Sequence, residues 1–90
     1  MIRSFRSKAL AAYYTTGRTG GLSVQNVARV GRMLRALAAA PRPEDMNLPG
    51  YHFHGLQGTE RWSIRITGNW RITFGWDGAD AIDVDLEDYH

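Results

Sequence analysis

Residues 61–76 read RWSIRITGNWRITFGW, two stretches of alternating apolar and polar residues on either side of Gly68-Asn69. Alternation with a period of two is typical of a strand with one buried face, and a glycine between two such stretches indicates a tight hairpin turn. A similar stretch lies on each side of this hairpin. The sequence therefore predicts an antiparallel meander with strands at Tyr51–Leu56, Arg61–Thr67, Trp70–Trp76 and Asp80–Leu86.

The first twenty residues indicate a short strand followed by a helix. Met1–Phe5 alternates like a short first strand. Ser7 is a residue type that favours helix N-caps, and Gly17 is of the type that closes helices. We therefore expect a helix from Lys8 to about Thr15 whose apolar face carries Leu10, Tyr13 and Tyr14.

A second helix is predicted over Val24–Ala40, where apolar residues recur at helical spacing. Ser23 is its candidate N-cap, and Pro41 and Pro43 end it because proline cannot continue a helix. Helices first and strands later are typical of an α+β fold. We expect one domain over residues 1–90, with two N-terminal helices packed on a mainly antiparallel sheet of four to five strands.

The strand register follows from the need to bury one face of the sheet, because a slip of one residue exposes every apolar side chain. Pairing Ile64 with Ile72, and Ile72 with Val84, keeps the apolar residues together. Both hairpins then need three-residue loops, at residues 67–69 and 77–79.

The same register predicts a polar surface on the other side of the sheet. Arg65 falls opposite Arg71, and Arg71 falls opposite Asp85. Opposed like charges are unfavourable in a sheet unless an anion bridges them. The alternative is that Asp85 neutralises Arg71 and no ligand is needed. The surface is expected to carry His52, His54, Arg65, Arg71 and Asp85, with Tyr89 and His90 beside it.

Composition excludes several classes of protein. There is no cysteine, which excludes disulfides and thiolate metal sites. No apolar run reaches the length of a signal peptide core or a membrane span, so we expect a cytoplasmic protein that does not bind a membrane. Phosphate loops and dinucleotide fingerprints are missing from the sequence, and we predict neither a cofactor nor a metal.

Charge is distributed unevenly along the chain. The net charge is +2, but residues 1–43 contain seven arginines and one lysine with no acid, and residues 77–90 contain six acids with no base. Ten of the eleven basic residues are arginine, which suits forked recognition of phosphate. The basic half favours a polyanion or an acidic protein as partner, with ordinary solvated charge as the alternative.

Histidines are the main candidates for chemistry. The sequence closes on Tyr89-His90, and imidazole both accepts and donates protons near neutral pH. His52 and His54 share one strand face if the strand continues through both, which leaves a weak metal hypothesis that lacks a third placed ligand. Ser63 has no evident base, so a serine nucleophile is disfavoured.

Five motifs together resemble the HigB toxins, the "killer protein" branch of the RelE-like messenger-RNA interferases of bacterial toxin–antitoxin modules. The motifs occur in the family order, and the opening Met1–Phe5 also fits, so the resemblance covers essentially all 90 residues. The five motifs are Met46–Gly50 (MNLPG), His54–Gly58 (HGLQG), Trp62–Ile64 (WSI), Asn69–Phe74 (NWRITF) and Glu87–His90 (EDYH).

The resemblance implies a RelE-like fold and an endoribonuclease that cuts messenger RNA in the ribosomal A site. It also implies a cognate HigA-like helix-turn-helix antitoxin, whose complex with the toxin binds operator DNA. The family's functional residues match His90, Tyr89, Asp88, Arg71 and His54 here. Arg65 and Gln57 are the expected substrate-binding positions.

Two departures from the family pattern leave a second hypothesis open. Gln57 stands where the family usually has lysine, and Gly55 stands where it has proline. The chain could therefore be a catalytically weakened toxin that serves as an antitoxin-binding, co-regulatory module. In that case Arg29, Arg32 and Arg35, a stripe on the second helix, are candidates to hold an acidic antitoxin or nucleic acid.

Overall fold

The computed structural model describes residues 1–89. Two helices, α1 (Lys8–Thr16) and α2 (Val27–Ala39), precede a four-stranded antiparallel sheet, and a short 3-10 helix (Pro43–Met46) connects the two parts. The strands are β1 (His54–Leu56), β2 (Arg61–Thr67), β3 (Trp70–Asp77) and β4 (Asp80–Asp88), in the spatial order β1-β2-β3-β4. The predicted α+β architecture is confirmed. No helix of residues 1–89 is long and apolar enough to cross a membrane.

Helix α1 begins and ends as predicted, within one residue. The Ser7 hydroxyl accepts a hydrogen bond from the Leu10 backbone N–H at 3.1 Å, and Gly17 closes the helix with a φ of +78°. Leu10 is fully buried and Tyr13 is half-buried, whereas Tyr14 is 40% exposed. Tyr14 is therefore less buried than expected, although its ring still packs against Phe5 with 5.6 Å between the ring centroids.

Helix α2 begins three residues later than predicted. Asn26 is its N-cap, and the Asn26 side chain accepts a hydrogen bond from the Arg29 backbone N–H at 3.1 Å. Ser23 does not cap the helix. Val24 is nevertheless buried, because it packs into the core from the segment before the helix. The apolar pattern thus predicted burial correctly but not the backbone conformation.

The core lies between the two helices and one face of the sheet. Phe74 and Ile72 at the centre of β3 are fully buried. The other core residues with no exposed area are Leu10, Val30, Met33, Leu34, Leu37, Met46, Ile64, Ala81 and Val84. The face of the sheet opposite this core carries the polar residues of β2, β3 and β4.

The register between β2 and β3 is as predicted, with Ile64 opposite Ile72 and Arg65 opposite Arg71. The hairpin loop is shorter than expected, since Thr67 pairs with Trp70 and only two residues remain between them. Gly68 takes a positive φ of 53° at the first loop position, the arrangement that glycine favours in two-residue hairpins.

The register between β3 and β4 differs from the prediction. Ile72 lies opposite Leu86 instead of Val84, and Arg71 lies opposite Glu87 instead of Asp85. One residue of the shift comes from a two-residue loop, because Asp77 pairs with Asp80. The other comes from a bulge in β4, where the register shifts between Thr73 and Gly75 of the partner strand.

The bulge centres on Asp83, which has a positive φ of 49°. Because of this extra residue, Ala81 and Val84 both face the core, whereas Ile82 is half-buried beside Gly75. A β-carbon on Gly75 would lie 3.2 Å from Cγ1 of Ile82. Ile82 therefore does not share the buried face with Val84, although strict alternation along β4 would place both residues on one face.

The N-terminal segment covers the outer edge of β4. Instead of a full strand it forms two parallel bridges, Ile2 with Ala81 and Phe5 with Val84. Covering an edge in this way protects it from pairing with other chains. The Arg3 guanidinium hydrogen-bonds the carboxylates of Asp77 and Asp80, which attaches the segment to the β3–β4 turn.

Strand β1 is half as long as predicted. His52 lies outside it, is exposed, and has a positive φ of 49°. The Tyr51 carbonyl still accepts a hydrogen bond from the Arg65 backbone N–H at 2.7 Å, so the chain stays beside β2. The left-handed residue at position 52 re-aims the chain just before the strand.

Candidate active site on the polar face of the sheet

Two rows of side chains cross the sheet on the side away from the core, and we call this surface the polar face. Antiparallel pairing sets the register, and residues opposite each other share a face. The first row is His54, Ser63, Thr73 and Asp85. The second row is Arg65, Arg71 and Glu87.

His54 is held in one tautomer at the edge of the polar face. Its Nδ1 lies 3.0 Å from the His52 carbonyl oxygen, which can only accept, so Nδ1 carries a proton. Nε2 is then an acceptor in the neutral ring, and it lies 3.3 Å from the Ser63 hydroxyl. The imidazole is exposed, whereas Ser63 is fully buried. His54 can therefore exchange a proton with a ligand.

The Ser63 hydroxyl is thus hydrogen-bonded to the imidazole of His54, the residue that the strand register places opposite it. The hydroxyl has no exposed area, so a substrate has no access to it. A serine nucleophile stays disfavoured, now because of burial and not because a base is missing.

Arg71 is packed against the aromatic ring of Tyr89. The guanidinium carbon lies 5.1 Å from the ring centroid, which is the geometry of a cation–π contact. The Arg71 Nε–H is buried and has no hydrogen-bond partner among residues 1–89. That donor is too buried to reach a ligand, but the half-buried guanidinium makes no salt bridge with a carboxylate of residues 1–89, so its outer N–H groups can donate to an anionic ligand.

Tyr89 is attached to the β2–β3 turn by its backbone. Its N–H donates to the Asn69 carbonyl at 2.7 Å, which fixes the chain directly after β4. Burial raises the pKa of the Tyr89 hydroxyl, and the charge of Glu87 raises it further, although the Arg71 charge opposes this. The raised pKa keeps the phenol protonated at neutral pH, so it is a hydrogen-bond donor and not a base there.

Arg65 stands beside Arg71 but is partly engaged. Its Nε donates to the Gly68 carbonyl at 3.0 Å, which turns the guanidinium toward the hairpin loop. This contact relieves the repulsion between the two opposed cations. The Nε–H of Arg65 is therefore already used, and only its terminal N–H groups remain for a ligand.

A hydrogen-bonded chain of three residues crosses the polar face, and none of the three was expected in the site. Arg61 Nη2 donates to the Thr73 hydroxyl at 3.0 Å, and that hydroxyl donates to the Glu87 carboxylate. Burial lowers the pKa of Arg61, and the positive charge of Arg6 adds to this, whereas Glu87 opposes it. Alternation could have placed Arg61 on the same face as Ser63, and Thr73 on the same face as Arg71. Glu87 could not be placed in this way, because it lay beyond the predicted end of its strand.

The other predicted site residues have different outcomes. Asp85 lies on the polar face, where its carboxylate accepts a hydrogen bond from the Leu86 backbone N–H at 2.9 Å. Gln57 is exposed in the β1–β2 loop. Asp88 ends β4 opposite Trp70, on the other side of the strand from Glu87. His90 lies outside the described residues, so its predicted role stays a prediction.

The geometric basis for the metal hypothesis is wrong. His52 leaves the strand, so it does not share a strand face with His54. Within residues 1–89 there is no group of three histidine, aspartate or glutamate side chains close enough to hold a metal ion.

The predicted arginine stripe on α2 is divided by the fold. Arg29 braces the sheet, because its Nε donates to the Ile66 carbonyl at 2.7 Å and its Nη2 donates to the Gly50 carbonyl at 2.8 Å. Its guanidinium also lies 5.2 Å from the Tyr51 ring centroid. Arg32 and Arg35 remain exposed. Only these two are available to a partner.

Arg35 also borders an open cavity of about 320 Å³ between α1 and α2, on the helical side of the molecule. The other lining residues are Tyr13, Tyr14, Gly17, Gly31 and Leu34. This cavity contains no acid–base pair and lies across the core from the polar face, so it suits binding better than catalysis.

A family model described as the RelE-like toxin HigB of type II toxin–antitoxin systems matches residues 3–90. The chain belongs to this family. It is also similar to the endoribonuclease HigB of Proteus vulgaris, with 38% identity over 92 aligned positions that cover both chains completely. The resemblance drawn from the five motifs is therefore confirmed.

Membership of the HigB family accounts for the fold and implies a partner. Two helices on a four-stranded antiparallel sheet agree with the RelE-like fold that the motifs implied. A type II toxin has a protein antitoxin, so this chain is expected to bind one. The name of the Proteus relative agrees with the expectation of an RNA-cleaving enzyme.

Proposed function

We propose that this HigB family member is an endoribonuclease toxin that cuts messenger RNA in the ribosomal A site without a metal ion. The observation that carries the proposal is the Arg71 guanidinium, which is half-buried under a tyrosine ring and makes no salt bridge with a carboxylate of residues 1–89. A half-buried cation beside a protonated phenol suits a phosphodiester, because both groups donate hydrogen bonds to anionic oxygens.

The reaction is an in-line attack of a ribose 2′-hydroxyl on the adjacent phosphorus. The O2′–P bond forms and the P–O5′ bond breaks, which leaves a 2′,3′-cyclic phosphate and a free 5′-hydroxyl. A base takes the 2′-hydroxyl proton and an acid gives a proton to the departing 5′-oxygen, so charge and protons balance.

The residues divide these roles. Arg71, with Arg65 beside it, neutralises the non-bridging oxygens of the phosphate. His90 transfers protons, and Asp88 orients it or takes up the 2′-hydroxyl proton. His54 is the alternative acid–base group, because its imidazole is exposed at the edge of the polar face.

Tyr89 stacks on a base or donates a hydrogen bond to the phosphate. Its raised pKa supports donation over proton abstraction. Correct alignment of nucleotide and catalytic groups contributes as much as proton transfer. If the ribosome supplies that alignment, free RNA is a poor substrate. The enzyme then acts in the cytoplasm, bound by a HigA-like antitoxin that also carries it to operator DNA.

The test is to induce the chain and map messenger-RNA 5′ ends together with the reading frame and the end groups. Cuts in register with codons, with 5′-hydroxyl and 2′,3′-cyclic phosphate ends, support the proposal. The control is His90→Ala, expected to lower cleavage about 10²–10⁴-fold, the range for a lost general acid or base. Ends carrying 5′-phosphates, or cuts unrelated to the frame, would overturn it.

A second function, binding without catalysis, is favoured by the open cavity between α1 and α2 with Arg35 at its border. On this reading, the missing cation at Gln57 has weakened the enzyme, and the chain acts with the antitoxin as a co-regulator. Growth arrest that persists in His90→Ala supports binding alone, whereas arrest that disappears supports the enzyme.

A further inference from the structure

Arg71 and Glu87 lie opposite each other on the polar face, yet they do not form an ion pair. Oppositely charged side chains in this position usually attract each other across a sheet. Another contact within residues 1–89 must therefore prevent the ion pair between Arg71 and Glu87. That cause is found in the contacts of Glu87.

The Glu87 carboxylate is occupied on its other side. Thr73 donates its single hydroxyl proton to Oε2 of Glu87. The Thr73 oxygen must then act as an acceptor toward Arg61, whose Nη2 lies 3.0 Å away. The hydrogen bonds therefore point in one direction, from Arg61 through Thr73 to Glu87.

Arg61 is itself firmly placed. The same Nη2 donates to the Asp83 carbonyl at 2.9 Å, which attaches the guanidinium to the β4 bulge. Thr73 has no exposed area, so water does not compete for its hydroxyl. One carboxylate thus lies between two guanidinium groups, and the buried hydroxyl connects it to Arg61.

We propose that Arg61 and Thr73 are positioning residues that hold the Glu87 carboxylate away from Arg71, so that Arg71 stays free to bind the scissile phosphate. This inference rests on the proposed function, because it assigns a purpose to the unpaired state of Arg71. Glu87 is not part of the chemistry. If the Glu87 carboxylate were released from Thr73, it would pair with Arg71 and block phosphate binding there.

The experiment is a rescue. Arg61→Met removes the cation that competes for Glu87, and Glu87 then turns to Arg71. We expect kcat/KM on ribosome-bound messenger RNA to fall about ten- to hundredfold, the range for one charge-assisted hydrogen bond to phosphate. Glu87→Gln keeps the acceptor for Thr73 but removes the charge, so its kcat/KM should equal or exceed that of the wild type.

The double variant Arg61→Met/Glu87→Gln separates a positioning role of Arg61 from a purely structural one. It should recover to within about twofold of Glu87→Gln alone, the ordinary error of additivity, because the silencing charge is absent. If the double variant stays as low as Arg61→Met, then Arg61 merely supports the bulge and the inference is overturned. Loss of activity in Glu87→Gln would also overturn it.

Two further measurements keep the outcome clear. If Arg61→Met does not fold, Thr73→Val takes its place, because valine is close to threonine in shape. Thr73→Val is then compared with the double variant Thr73→Val/Glu87→Gln in the same way. A crystal structure of Arg61→Met should show the Glu87 carboxylate paired with Arg71, and an unmoved carboxylate contradicts the inference. That structure needs no cleavage assay, so it tests the inference separately from the proposed function, which an inactive wild type would contradict.

Discussion

The guanidinium carbon of Arg71 lies 5.1 Å from the centroid of the Tyr89 ring, although the two residues are on different segments of the chain. The backbone hydrogen bond from the Tyr89 N–H to the Asn69 carbonyl fixes this contact, because it joins the chain after β4 to the turn that precedes Arg71. The ring thus covers one side of the cation and leaves its donors to a ligand.

Tyr89 variants separate the ring from the hydroxyl. Tyr89→Ala removes the stacking on Arg71, which is worth about 0.5–2 kcal/mol, so we expect kcat/KM on ribosome-bound messenger RNA to fall by up to thirtyfold. Tyr89→Phe keeps the ring and should lose less. Equal losses in both variants would show that the hydroxyl is what matters, and an unchanged Tyr89→Ala enzyme would contradict the contact's role.

Restoring a cation at position 57 should raise activity. Gln57 is exposed on the β1–β2 loop, so Gln57→Lys adds a charge without disturbing the core. A lysine there adds attraction for the RNA backbone, and the measured salt dependence of binding should steepen by about 0.7 for one extra phosphate contact. The control is Gln25→Lys, an exposed glutamine in the segment before α2. Equal effects of both substitutions would mean that the added charge matters and its position does not.

The N-cap of α2 is tested by a pair of alanine variants. Asn26→Ala removes the side-chain acceptor for the Arg29 N–H and should cost about 1 kcal/mol in the free energy of unfolding. Ser23→Ala, the residue that the sequence favoured as cap, should change stability by less than about 0.5 kcal/mol. Urea denaturation measures both. A larger loss at Ser23 would mean that the helix begins earlier than the structure shows.

The Arg3 contact makes stability depend on pH in the acid range. Hydrogen bonding to Arg3 lowers the pKa of Asp80 below its ordinary 3.8. A lowered folded-state pKa stabilises the fold above the unfolded pKa, and this contribution disappears as pH falls through the folded value. The melting temperature of Arg3→Met should therefore decrease less steeply than that of the wild type below pH 3.8. The pair is exposed, so the effect is small. Identical slopes would contradict the linkage.

Local pattern predicted the parts of the fold that depend on nearby residues. The β2–β3 register was correct because Ile64 and Ile72 must share a buried face on either side of a short turn. The β3–β4 register was not, partly because the loop is one residue shorter than expected and partly because of the bulge, which is held by distant contacts. The Asp83 N–H donates to the Ser4 hydroxyl at 2.8 Å, and its carbonyl accepts from Arg61. No local pattern in residues 80–88 contains that information.

The candidate site shows the same division. His54, Arg65 and Arg71 were predicted on one face because alternation fixes the side of a strand, and they lie there. Glu87 was missed because its strand was expected to end at Leu86. Asp85 was predicted to lie opposite Arg71, where the structure has Glu87. The bend at His52 was missed because a left-handed conformation is uncommon for any residue other than glycine.

Phosphate binding by Arg71 is tested by comparing Arg71→Ala with Arg42→Ala on ribosome-bound messenger RNA. Arg42 is an exposed arginine paired with Asp45 beside the 3-10 helix, so it controls for the loss of one positive charge. We predict that kcat/KM falls about 10²–10³-fold for Arg71→Ala, the range for a lost transition-state donor, at an unchanged melting temperature, while Arg42→Ala stays close to the wild type. Near-wild-type turnover in Arg71→Ala, or an equal loss in both variants, would contradict the account.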